Sequence, residues 1–69
     1  MCRTYLLAFD SADHAWRFCK RLHLAFDRDV STFRDGEHVR VLDATPNGAL
    51  RRISELARSS SATMIKTVT

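Results

Sequence analysis

The chain has 69 residues, a formal net charge of +3, a hydrophobic fraction of 45% and a charged fraction of 28%. That length allows one small domain spanning residues 1–69, and the apolar content argues against disorder. The two cysteines, Cys2 and Cys19, form no CxxC or paired Cys/His spacing, which excludes a standard zinc finger and a disulfide-dense secreted scaffold.

Arg3 to Phe9 is a short apolar run with aromatic and aliphatic residues on both alternating faces, which predicts a buried central strand. Asp10 and Ser11 end it, and either can cap the helix that follows. The helix is predicted from Ala12 to about His23. Its stripe is Ala12, Ala15, Trp16, Phe18, Cys19 and Leu22, with Asp13, Arg17, Lys20 and Arg21 facing away. Trp16 is expected to join the core at the stripe's edge. Cys19 reads as a buried free thiol, although its i, i+4 spacing to His23 would also suit two metal ligands.

Asp29 to Arg34 and Glu37 to Asp43 flank Asp35-Gly36, a strong signal for a two-residue hairpin turn. A turn centred there pairs Arg34 with Glu37, Phe33 with His38, Thr32 with Val39, Ser31 with Arg40 and Val30 with Val41. Val30, Thr32, Val39 and Val41 then share the core face, and Ser31, Phe33, His38 and Arg40 share the other. Thr45-Pro46 is expected to open the second helix, Thr45 as the cap and Pro46 at the first helical position. Ala49, Leu50, Ile53, Leu56 and Ala57 form its apolar stripe. A loop at Ser59-Ser60-Ser61 leads to a last strand from Thr63 to Val68.

The order strand, helix, strand, strand, helix, strand is that of an α+β, ferredoxin-like split βαβ fold. Right-handed crossovers put both helices on one face of a four-stranded antiparallel sheet of order 4-1-3-2. The other face stays open. Strand 1 has apolar residues on both sides, so an apolar patch is expected there whichever side the helices cover, and such patches mark contact sites. Phe33, His38, Arg40, Leu7 and Tyr5 are the residues expected at that interface. The leading expectation is a non-enzymatic binding or regulatory module, homodimeric through the open face or paired with another protein.

The alternative is nucleic-acid binding through Arg17, Lys20 and Arg21 on the first helix, or through Phe33, His38 and Arg40 on the sheet. The third strand lacks the aromatic pattern of RNA-recognition motifs, which lowers the sheet version. No nucleophile–base arrangement argues for catalysis, and no cofactor is expected. The loop Asp10-Ser11-Ala12-Asp13 also lacks the glycine that close approach to a small ligand would use. With no apolar span of membrane length and no leader-like start, a cytoplasmic protein is expected, with no membrane partner.

The opening Thr4-Tyr5-Leu6-Leu7-Ala8-Phe9-Asp10 resembles the first strand of the small CRISPR-associated endoribonuclease-like family and its antitoxin and VapD-type relatives. The resemblance covers about seven residues and the element order. It implies a ferredoxin-like dimer and, if the nuclease members are the guide, a metal role for Asp10.

Overall fold

The computed structural model describes residues 2–26 and 28–68. The strands are β1 (Arg3–Phe9), β2 (Val30–Asp35), β3 (His38–Asp43) and β4 (Ala62–Thr67), and the helices are α1 (Ala12–Phe26) and α2 (Leu50–Ser59). The sheet is antiparallel with order β2-β3-β1-β4, which is the expected ferredoxin-like arrangement.

The core lies between the sheet and the two helices. Tyr5, Leu7 and Phe9 of β1, Val30 of β2 and Val39 and Val41 of β3 point into it. Ala15, Phe18 and Leu22 of α1 and Ile53 and Ala57 of α2 cover them. The Phe9 and Phe18 rings pack at a centroid distance of 5.0 Å, tilted by 36°. This settles the side of β1 that meets the helices. The bulkier alternating set, Tyr5, Leu7 and Phe9, fills the inner layer, and Thr4, Leu6 and Ala8 face out.

Beyond one-residue shifts at the ends of β2, β3 and β4, the structure departs from the sequence expectations at four points, each with a physical reason. First, α1 starts as expected, with Ser11 as its cap: the Ser11 Oγ accepts from the His14 amide at 3.2 Å. It then runs past His23 to Phe26. Phe26 lies one turn beyond Leu22 and packs against the core, and the intervening Leu24 is left 86% exposed. Second, Trp16 is not core but 49% exposed, with the Lys20 ammonium 4.5 Å from its ring centroid.

Third, the hairpin turns at Gly36-Glu37, not Asp35-Gly36. Asp35 pairs with His38, Arg34 with Val39, Phe33 with Arg40, Thr32 with Val41 and Val30 with Asp43. Gly36 has φ +62° and Glu37 is not in the left-handed region, so glycine occupies the first central position, as in a type II′ turn. A turn at Asp35-Gly36 of type I′ would force Asp35 to positive φ. The two registers differ by an even step, so the faces are unchanged, and Val30, Val39 and Val41 are buried as expected.

Fourth, Thr45-Pro46 does not begin α2. Thr45 to Gly48 is a β-turn closed by the Gly48 amide on the Thr45 carbonyl at 3.2 Å, with proline at its second position and glycine at its fourth. The helix starts at Leu50, and its cap residue Ala49 contributes no side-chain hydrogen bond. Asp43 anchors that cap residue from outside the helix. Its buried carboxylate accepts from the Ala49 amide at 2.7 Å, from the Thr45 amide at 3.0 Å, from the Thr45 hydroxyl and from the Tyr5 hydroxyl at 3.0 Å.

Candidate functional site on the open sheet face

The pairing registers place the outward side chains of the four strands in three rows. One row runs Ser31, Leu42, Thr4, Val68, the last held beside Thr4 by its amide on the Thr4 carbonyl at 2.8 Å. The middle row runs Phe33, Arg40, Leu6, Lys66, and the third Asp35, His38, Ala8, Met64. Alternation along each strand produces this grid, because every second residue of a strand points to the same side.

Phe33, His38 and Arg40 are therefore together on the open face, as expected, and all three are exposed. Tyr5 and Leu7 are not there. They are 1% and 0% exposed beneath the helices, which removes them from any interface on the open face. Their places are taken by Leu6 and by residues that strand-by-strand reading left out: Leu42, Met64, Lys66 and Val68. The missing signal was side-chain size, since the larger of two alternating apolar sets on a central strand belongs in the closed layer.

Phe33 is 56% exposed, Val68 53% and Met64 38%, while Leu6, Ala8 and Leu42 are half-buried in the middle of the sheet. Six of the twelve outward positions are thus apolar. Arg40 and Lys66 stand on either side of Leu6, and Asp35 is the one carboxylate among these twelve side chains. Thr4, Leu6, Arg40, Leu42 and Val68 line one shallow depression, and Leu6, Phe33, Arg34, Asp35, His38 and Arg40 line a second.

The helical side differs in charge. α1 and α2 carry six basic side chains (Arg17, Lys20, Arg21, Arg51, Arg52, Arg58) and two acidic ones, a net of +4. The rest of the sequence carries five basic and six acidic side chains, a net of −1. Arg17, Lys20 and Arg21 divide between two places: Lys20 leans over Trp16, whereas Arg17 and Arg21 both lie beside the serines between α2 and β4.

Asp10 is exposed between β1 and α1. Among the described residues no group of three or more His, Cys, Asp or Glu side chains lies close enough to hold a metal ion, and Asp10 belongs to none. Cys2 is exposed and Cys19 half-buried, and both are free thiols. Burial pushes the Cys19 thiol up, against smaller opposing effects from Thr32 and Arg34. No described helix is long and apolar enough to cross a membrane.

Comparison with protein-family models, with curated proteins and with solved structures finds no match to this chain.

Proposed function

We propose that the protein is a non-enzymatic binding module that pairs with a second copy of itself through the open sheet face. The observation that carries this reading is the composition of the face: Leu6, Ala8, Leu42, Phe33, Met64 and Val68 lie together on the side no helix covers. Contiguous exposed apolar surface of this kind marks an association site. A chain of 69 residues also has little core of its own, and an isologous interface supplies more.

Charge favours a particular pairing. Sheets pack face to face with their strands nearly aligned. A two-fold axis parallel to the strands lays β2 of one copy over β4 of the other. Phe33 then meets Lys66, Arg40 meets Leu6, and no like charges are stacked. An axis across the strands would set Arg40 against Arg40. In the first pairing the basic helices face outward on both sides of the dimer.

Sedimentation equilibrium of the wild type and of Phe33→Glu tests this. The wild type is expected to be dimeric at micromolar concentration, and the variant to associate at least about tenfold more weakly, a loss of roughly 1.4 kcal/mol. A wild type that stays monomeric at several hundred micromolar sinks the reading.

A second reading, contact with nucleic acid, is favoured by the segregation of charge onto the helices. It rests on Arg17, Lys20 and Arg21 and their neighbours on α2, not on the sheet.

A further inference from the structure

Where the first half of α1 meets the loop from α2 into β4, there is a small polar cavity of about 90 Å³. Its walls are His14, Arg17 and Arg21 of α1, Ser59 at the end of α2, and Ser60 and Ser61 of the loop. The α1 residues are spaced i, i+3, i+7, which puts them on one stripe of the helix. No carboxylate lines the cavity, although acidic side chains make up 8 of the 69 residues.

The site is organised in advance. The Arg21 guanidinium donates from Nη1 to the hydroxyl oxygens of Ser59 and Ser60, at 3.2 Å each. Ser59 in turn donates its own proton to the Leu56 carbonyl at 2.9 Å, which fixes its oxygen as an acceptor for Arg21. Ser60 is buried, and its hydroxyl donates to no acceptor among the described residues. Arg17 makes no hydrogen bond or ion pair among the described residues, so its fork of donors is uncommitted. The His14 Nδ1 is buried and meets no hydrogen-bond partner among them either.

We propose that this cavity binds the phosphate group of a phosphomonoester. Size and charge select that chemistry. The volume corresponds to about three waters of liquid and is far below the roughly 300 Å³ of pockets that enclose a whole small molecule. It takes the tetrahedral head and leaves the rest of the ligand outside. Two guanidinium groups match the near-dianionic charge of a monoester, whereas a phosphodiester brings a single charge. Guanidinium forks and hydroxyl donors are the groups that recognise phosphate oxygens. The cavity opens on the helical layer, away from the sheet face, so the proposal stands whether or not that face pairs.

The test is an amide chemical-shift titration of the full ¹⁵N-labelled chain with inorganic phosphate at constant ionic strength, with chloride as the control. Saturable shifts are expected at His14 and at Ser59 to Ser61, with none for chloride. Arg17→Gln should weaken the binding at least about tenfold, on the scale of a lost charged hydrogen bond, with an unchanged melting temperature. Non-saturating shifts, or shifts spread equally over Arg51, Arg52 and Arg58, would overturn the site. A second arm uses a nucleoside monophosphate, a sugar phosphate and a dinucleoside phosphodiester. Both monoesters should reproduce the phosphate pattern. A diester that binds the same amides as tightly would overturn the monoester assignment and pass the cavity to the nucleic-acid reading.

Discussion

The Tyr5 hydroxyl donates a 3.0 Å hydrogen bond to Oδ2 of Asp43, tying the two central strands together from inside the core. The same carboxylate holds the turn at Thr45 and the amide of Ala49, the residue that leads into α2. Asp43→Ala would strand these donors in a buried site, at a cost of roughly 3 kcal/mol or more. Against a total stability on the order of 3–10 kcal/mol for a chain of this size, that is a large fraction. Urea unfolding is the measurement; a midpoint shift corresponding to under about 1 kcal/mol would show that water satisfies these groups instead.

Both members of the pair link folding to pH. Burial alone would raise the Asp43 carboxyl, but the hydrogen bonds from Thr45, Ala49 and Tyr5 outweigh it and hold the group below the usual carboxylate range. Its contribution is therefore complete above the unfolded-state value and is lost as pH falls through the lowered folded value. Tyr5 moves the other way: burial first, then the bond to Asp43, pushes its hydroxyl up. That contribution is complete below the ordinary tyrosine range and is lost as pH rises through the raised folded value. Asp43→Asn should flatten the acid side of the stability profile, and Tyr5→Phe the alkaline side. Profiles parallel to wild type on both sides would contradict this.

Gly48 should be intolerant of a side chain. It has φ +76°, and a Cβ added there would lie 3.1 Å from the Arg3 Nη1. Gly48→Ala is expected to cost about 1–2 kcal/mol for the left-handed backbone, plus displacement of the Arg3 guanidinium. Gly36, with φ +62° and open space around it, should cost only the backbone part. Thermal unfolding of the two alanine variants gives the comparison, and equal losses would show that Arg3 moves freely.

Association through the sheet face should respond to its outward residues and not to the helices. Phe33→Glu and Leu6→Glu are expected to lower the dimer fraction, while Leu24→Lys, at an exposed position on α1, should leave both association and stability within about 0.5 kcal/mol of wild type. Sedimentation velocity across a concentration series reads the first effect and urea unfolding the second. Dissociation by Leu24→Lys alone would move the interface to the helical layer.

If nucleic acid is a partner, the helix cations should set its salt dependence. Neutralising Arg17 and Lys20 together would reduce the slope of log K against log salt by up to about 2, since each phosphate neutralised contributes roughly one. Fluorescence anisotropy with a labelled oligonucleotide measures that slope. An unchanged slope, or no binding at low salt, removes the reading.

The architecture was legible because its signals are local and independent. The bounds of β1, the hairpin and two apolar helix stripes each follow from side-chain periodicity. The differences come from turn geometry and from side chains that meet only in the packed core. Asp43 anchors Ala49, six residues on, at the entry to α2, and Thr45-Pro46 reads equally well as a cap or as a turn. Phe26 extends α1 because the core has room for it, which no pattern within residues 12–23 reveals. For the candidate site, Phe33, His38 and Arg40 were readable from strand alternation alone. Tyr5 and Leu7 are not readable in this way: both faces of β1 are apolar, and volume in the closed layer decides between them.

The position of the Ala49 amide has a consequence for hydrogen exchange. Amides at the start of a helix normally exchange through local fraying, because nothing in the helix accepts them. Ala49 instead donates to a buried carboxylate anchored on β3. Its proton should exchange as slowly as those of the central strands and follow the free energy of global unfolding. The residue that leads into α2 would then open only together with the sheet.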